Sequence, residues 1–254
     1  MKSSYPDLDG RIAVVTGGSR GIGAQTARSL AAQGVAVCVV GRDRDALAAV
    51  VAGIRATGGT AVAEVTDVTD EHALEHLRAV VAADLGPVDI LAAFAGGEGY
   101  PVPSPQLTPQ RWRAVLEADL TSAFLTVHAF LPMMLDRCRG SIILMSSASG
   151  RQPSRANLAY GAAKAGLTML GRHLATEIGS AGVRVNTIAP SSILTEKSAA
   201  NMPEAVQRQV AAGHPLGRLG TTGDVAQTAL FLASDVSSYL TGLTIDVAGG
   251  RITN

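Results

Sequence analysis

The segment from Ile12 to Val40 limits the fold of this chain more than any other. A short apolar run, Ile12-Ala13-Val14-Val15, breaks at Thr16 into the turn Gly17-Gly18-Ser19-Arg20-Gly21-Ile22-Gly23. An alanine-rich helical stretch follows from Ala24 to Gln33, and after Gly34 a second apolar run extends from Val35 to Val40. Short apolar runs bounded by turn residues read as buried strands. Two strands joined through a helix lie parallel, and a parallel sheet needs helices on both faces. Glycines let the turn bend tightly and let its backbone approach a ligand without side-chain collision. The helix that opens there presents free N–H groups and the positive end of its dipole to an anion. Strand, glycine turn, helix and strand in one unit form the setting of a dinucleotide site. The alternative is a glycine-rich turn that holds no ligand.

Further apolar runs at Ala61–Val65, Val88–Leu91, Ser141–Met145, Val183–Ile188 and Leu243–Val247 alternate with helical stretches. This order predicts an α/β fold, a doubly wound seven-stranded parallel sheet flanked by helices, as a single domain over residues 1–254. Glu98 to Pro109 contains four prolines and reads as a loop, followed by a long helix over Gln110 to Arg137 bent near Pro132. A formal net charge of zero and a pI near 7.0 argue against nucleic acid or an anionic membrane as partner. No apolar run reads as long enough to span a bilayer, and the N-terminus lacks the apolar core of a signal peptide. Two cysteines, Cys38 within a strand and Cys138 after the long helix, imply no disulfide framework and suit a reducing cytoplasm. His72 and His76 share a helix face but no third ligand accompanies them, so no metal is assigned.

Tyr160 and Lys164 stand one helical turn apart, with Ser147 thirteen residues before the tyrosine. Residues at i and i+4 share a helix face. A free tyrosine titrates near ~10, and a fixed cation favours its phenolate, each unit of lowering corresponding to about 1.4 kcal/mol. A phenol tuned in this way can pass a proton to or from a carbonyl or hydroxyl oxygen. Ser147 would hold the same oxygen through a hydrogen bond, and no G-x-S-x-G elbow surrounds it to suggest a hydrolase.

The Gly17, Gly21, Gly23 spacing, followed in order by Ser147, Tyr160 and Lys164, resembles the short-chain dehydrogenase/reductase family in its classical subgroup, closest in look to members that reduce 3-oxoacyl-(acyl-carrier-protein). The resemblance runs from Arg11 to Gly250 and implies a Rossmann-type sheet. It implies catalysis by Ser147, Tyr160 and Lys164, and cofactor contacts from Thr16, Gly17, Ser19, Arg20, Gly21, Ile22, Gly23, Tyr160 and Lys164. Asp67 would reach the adenine amino group and Val68 would pack on the ring; a helix N-cap role for Asp67 or Asp70 is the alternative. Pro190 and Ser191, the latter in place of the family glycine, would wall the nicotinamide, and Ile193 and Thr195 would bind its carboxamide. Where members carry Asn-Asn-Ala-Gly, this chain has Ala93-Phe94-Ala95-Gly96, keeping only Ala95 and Gly96 beside the cofactor. Asp119 fills a slot where members carry asparagine. Its carboxylate would either pair with Lys164 and blunt its effect on Tyr160, or join the proton relay, and on this ground it is counted with the catalytic set.

Cofactor choice is a question of charge. NAD-selective sites offer an acidic side chain at the end of the second strand. Here Gly41 stands there, Arg42 follows, and Arg20 lies in the glycine turn; two guanidinium groups suit a 2′-phosphate. NADP(H) is therefore favoured, and Asp43 keeps NAD(H) open. The polar stretch Glu196 to Gly220 resembles the family's substrate-covering segment. Gly97, Tyr100, Gln152 and Asn157 are candidates for substrate choice, and Arg151 and Arg155 could attract an anionic substrate or a carrier-bound acyl chain, or be solvated loop residues. Small residues such as Ala162, Ala163 and Gly171 suit the helix pairing of a homotetramer or homodimer. The expected function is NADP(H)-dependent hydride transfer between nicotinamide and a small ketone or secondary alcohol; the alternative is a non-catalytic dinucleotide-binding sensor or scaffold. Asp119→Asn separates the two roles of that carboxylate: activity within tenfold of the parent or higher for a competitor, a loss beyond a hundredfold if the carboxylate is required.

Overall fold

The computed structural model describes residues 4–253. β1 (Ile12–Thr16) leads through α1 (Gly21–Ala31) to β2 (Ala36–Gly41), then α2 (Arg44–Ala56), β3 (Ala61–Val65), α3 (Glu71–Asp84) and β4 (Ile90–Ala93). The second half runs α4 (Pro109–Leu116), a π turn (Glu117–Thr121), α5 (Ser122–Asp136), β5 (Gly140–Met145), α6 (Leu158–Ile178) and β6 (Val183–Pro190). After β7 (Ile193–Leu194) come α7 (Glu196–Asn201), α8 (Glu204–Ala212), β8 (Gly220–Thr221), α9 (Thr222–Ala233) and β9 (Thr244–Val247). The main sheet has seven strands in the order β3-β2-β1-β4-β5-β6-β9, every pair parallel. The order reverses between β1 and β4, which opens a crevice at the carboxyl ends of the strands where ligands bind in such sheets.

Strand alternation divides the core into two layers. Val15, Val37, Val39 and Ala92 face α1, α2 and α9, whereas Val14, Cys38, Val40 and Leu91 face α3, α5 and α6. Each central strand is thus apolar on both faces, which is why these runs read as continuously hydrophobic.

Several boundaries differ from the sequence reading. β4 starts at Ile90, because the Asp89 N–H bonds Ile12 before the ladder begins. β7 and β8 pair in a separate two-stranded sheet too short to show periodicity. The covering segment after Thr195 contains two helices, α7 and α8. The long helix passes through Pro132, which lies on its exposed side, where the carbonyl left free can reach water. Its irregularity is instead the π turn, which carries Asp119 inward. Counted through that turn, Pro109–Asp136 is long and apolar enough to cross a membrane by length and composition, contrary to the expectation that no such run exists. Its Ala123, Val127, Phe130 and Met134 are instead buried against the sheet.

The glycine turn is held by backbone contact. A Cβ on Gly23 would stand 2.2 Å from the Gly17 carbonyl oxygen, which cannot move without unmaking the turn. Gly23→Ala is expected to destabilise the protein by about 2 kcal/mol or more, the cost of an overpacked site. It should also weaken dinucleotide binding at least tenfold; denaturant unfolding and fluorescence titration measure the two effects.

Candidate active site

α1 opens at the crevice with none of its first-turn N–H groups capped by a side chain: Arg20 at the N-cap makes no capping bond, and the first turn holds no acidic residue. By contrast α2, α3, α4 and α6 are capped by Asp43, Asp70, Thr108 and Asn157. An uncapped helix start bordered by glycine backbone fits the pyrophosphate of a dinucleotide. A cleft of about 460 Å³ runs from this point between the sheet ends and α6. Gly17, Arg20, Ile22 and Gly23 line one end of it, and Ser147, Tyr160 and Lys164 line the other. Gly96, Pro190, Ser191, Ile193 and Thr195 border it as well.

The lysine end rests on a buried ion pair. Lys164 is 3 % exposed and Asp119 fully buried, with Nζ 3.1 Å from Oδ1. Lys164 Nζ also donates to the Met145 carbonyl at 3.0 Å. An ammonium has three donors, so one remains for the cleft side, where Nζ lies 5.4 Å from the centre of the Tyr160 ring. The Asp119 carboxylate accepts the Gly97 N–H at 2.6 Å and the Glu98 N–H at 3.0 Å. Of the two roles open in the sequence, the ion pair is the one formed. Asp119 stands behind Lys164 and is not among the described residues that line the cleft. Gly96, with φ of 128°, is required at this point, since a Cβ there would lie 2.4 Å from the same carboxylate.

The departures from the family pattern after β4 are compensated in the backbone. Thr16 Oγ1 accepts the N–H groups of Phe94 and Ala95 at 3.0 and 3.2 Å, and Asp119 holds those of Gly97 and Glu98. Ser147 Oγ accepts the Ser149 N–H at 3.1 Å, which leaves the hydroxyl proton free to donate. Asn157 is 1 % exposed; its Oδ1 caps α6 through the Tyr160 N–H, and its Nδ2 donates to the Glu98 and Tyr100 carbonyls. Asn157 is therefore a clamp between the catalytic helix and the loop, and not a substrate-choosing side chain.

At the adenosine end, Arg20 pairs with Asp43, whose Oδ1 also caps α2. Ser19 and Gly21 border the outer mouth of the crevice. Arg42 is largely exposed and lies 3.8 Å from Asp67. Hydrogen bonds from the Thr69 N–H and hydroxyl hold the Asp67 carboxyl below its usual range, with Arg42 a smaller contribution. Of the two candidate caps for α3, Asp70 fills the role. Val68 is buried in the core beneath Asp67. Thr195 caps α7 reciprocally with Ser198 while bordering the cleft.

A second cavity, of about 470 Å³, meets the cleft at Ser147 and Ser191. Gln152, Arg155, Met202, Val206 and Arg251 are among its walls. Arg151 is not at this mouth: it grips Asp246 through Nε and a terminal nitrogen at 3.0–3.2 Å, both side chains mostly buried. Tyr100 lies under the Lys197 ammonium, 4.7 Å from its ring centre, so the loop after β4 touches α7. Sequence reasoning missed His214, 3 % exposed, whose Nδ1 donates to the Val210 carbonyl while Nε2 meets the Ser191 hydroxyl at 3.1 Å. The signal available was the serine in the family's glycine position, which needed a partner. His72 and His76 are exposed, and no metal-ligating cluster exists among the described residues.

Asp119→Asn leaves Lys164 without its counter-charge and is expected to lower the unfolding free energy by about 3 kcal/mol, as when one partner of a buried pair is removed. Adding Lys164→Met should recover part of that loss in denaturant unfolding. Additive losses would show that the two side chains do not act as a pair.

Comparison with known proteins bears on this arrangement. The family model described as enoyl-(acyl carrier protein) reductase matches residues 17–251. Cis-4-hydroxycyclohexanecarboxylate dehydrogenase of Sinomonas cyclohexanicum is 39% identical over 94% of this chain and 96% of its own. The 3-oxoacyl-(acyl-carrier-protein) reductase of Escherichia coli is 35% identical over 96% of this chain and 98% of its own. The crystal structure of levodione reductase superposes with a TM-score of 0.92 at 28% identity, covering 96% of this chain and 98% of that one. With the uncapped helix start and the serine, tyrosine and lysine around one cleft, these relationships make the chain a member of the short-chain dehydrogenase/reductase family, an oxidoreductase acting on CH–OH groups and the corresponding ketones.

Proposed function

We propose that this enzyme uses NADP(H) to interconvert a small ketone and its secondary alcohol, with Ser147, Tyr160 and Lys164 as the catalytic set. The observation that carries the reading is that all three line the cleft into which the uncapped start of α1 points. When bound there, the nicotinamide gives or takes the hydride at the carbonyl carbon. Ser147 uses its free hydroxyl proton to hold the carbonyl oxygen, and the Tyr160 hydroxyl gives that oxygen its proton in reduction and takes it back in oxidation. Lys164 keeps one N–H unengaged by Asp119 and Met145, and would offer it to a ribose hydroxyl of the cofactor or to the phenol of Tyr160. Asp119 acts through Lys164 as a positioning residue. Thr195, Ile193, Ser191 and Pro190 form the wall against which the nicotinamide would be oriented.

NADP(H) is supported by the charges at the adenosine end. Gly41 places no carboxylate against the ribose, and Asp43 is engaged by Arg20 and by its own helix. Arg42 lies beyond hydrogen-bond reach of Asp67 and offers its guanidinium to a 2′-phosphate. A dimer or tetramer belongs to the same reading, since Phe124, Leu158 and Met169 leave large apolar side chains exposed along α5 and α6. Cytoplasmic location is supported by two free cysteines, of which Cys38 is buried, its thiol pushed up to about 12 by burial. A non-catalytic sensor would have no need of the serine, tyrosine and lysine around one cleft, and that alternative is not favoured.

Tyr160→Phe is expected to lower kcat by about 100-fold or more against any accepted ketone, the contribution of a general acid, with NADPH affinity within about threefold; full activity in this variant would overturn the mechanism. Arg42→Ala should raise KM for NADPH about tenfold, the loss of roughly one charge-assisted hydrogen bond, and leave NADH nearly unchanged. Steady-state kinetics with both cofactors separate the two.

A further inference from the structure

We infer that the substrate carries a carboxylate, held by Arg155 and Arg251 at the outer end of the cavity that opens on Ser147. The inference rests on the reductase reading above, since it takes the carbonyl to sit at Ser147. Both arginines border this cavity, one from the loop between β5 and α6 and the other from the segment after β9. Among the described residues neither guanidinium makes a hydrogen bond or an ion pair, and both residues are exposed. No acidic side chain lines the cavity among the described residues, so nothing offsets the two cations. The contrast is Arg151, four residues before Arg155, whose guanidinium is engaged by Asp246 and packed away from solvent. Two guanidinium groups with free forks match the two oxygens of a carboxylate.

The rest of the cavity selects the body of the ligand. Met202, Val206 and Val210 give the same cavity an apolar wall. At about 470 Å³ the space lies within the range of small-molecule sites. A compact apolar skeleton, with a ketone or alcohol at one end and a carboxylate at the other, satisfies both ends at once. A coenzyme A thioester carries its phosphates on a long arm that would project out of such a space, and is the less favoured anionic substrate.

The test compares 4-oxocyclohexanecarboxylate with its methyl ester, with acetoacetyl-coenzyme A as a third substrate, in the parent enzyme and in Arg155→Gln and Arg251→Gln. The parent is expected to favour the acid over the ester at least tenfold in kcat/KM. Each variant should raise KM for the acid tenfold or more and leave the ester within threefold. Equal turnover of acid and ester by the parent, variants that impair both alike, or a thioester preferred and equally sensitive to the arginines would each overturn the inference. Calorimetric binding of acid and ester to the NADPH-saturated Tyr160→Phe protein reads the same preference without chemistry. Acid-selective binding with no turnover in the parent would support the carboxylate site while refuting the reductase reading. Turnover of the ester without selectivity for the acid would do the reverse.

Discussion

The ion pair between Asp119 and Lys164 organises the parts of this molecule that face the cleft. Taking both charges out of water is costly, and their attraction offsets the cost only when the remaining lone pairs and protons are also satisfied. Here they are. Two backbone N–H groups from the loop after β4 complete the carboxylate, and the Met145 carbonyl at the end of β5 takes a second proton of the ammonium. One pair of side chains therefore fixes the π turn before α5, the loop after β4, the end of β5 and the start of α6. The relative placement of cofactor loop and catalytic helix follows from that single closed network.

The same network holds the loop after β4 just beyond Ala93 and Phe94, where the resemblance leads one to expect paired asparagines. What the loop after β4 needs is acceptors for its N–H groups as it leaves the sheet, since buried donors without partners are expensive. Thr16 supplies one oxygen to those of Phe94 and Ala95, and Asp119 supplies a carboxylate to those of Gly97 and Glu98. Two changes that look like separate losses in the sequence, asparagine replaced after β4 and asparagine replaced by aspartate before α5, thus meet at neighbouring backbone groups. Asparagine at position 119 offers one acceptor oxygen where two N–H groups and an ammonium converge, so the anion is the better fit.

The layout of the sheet was readable because buried parallel strands are apolar on both faces and therefore stand out as runs. Tyr160 and Lys164 stood out because their spacing is one helical turn, and both lie on α6 and border the cleft. The π turn was not, since a single inserted residue leaves the apolar pattern of a long helix almost unchanged. Nor were partners across distant segments. Arg151 reads as one more arginine in a polar loop until Asp246, at the other end of the chain, is brought beside it. His214 has no local motif, and only the fold places its ring against Ser191. Of the two helices after Thr195, α7 is too short to show a helical period, and α8 is amphipathic but buries none of its residues in the core.

Chemistry and substrate choice are held by different kinds of structure here. Lys164 and Asp119 neutralise one another inside the protein, on helices and strands that exchange four hydrogen-bonded contacts, so a change to any one disturbs the others. Arg155 and Arg251 stand on a loop and on the segment after the last strand, and among the described residues their guanidinium groups have no hydrogen-bond or ion-pair partner to lose. Replacing their side chains breaks no hydrogen bond or ion pair among the described residues. A scaffold arranged in this way can keep one reaction while its substrate changes.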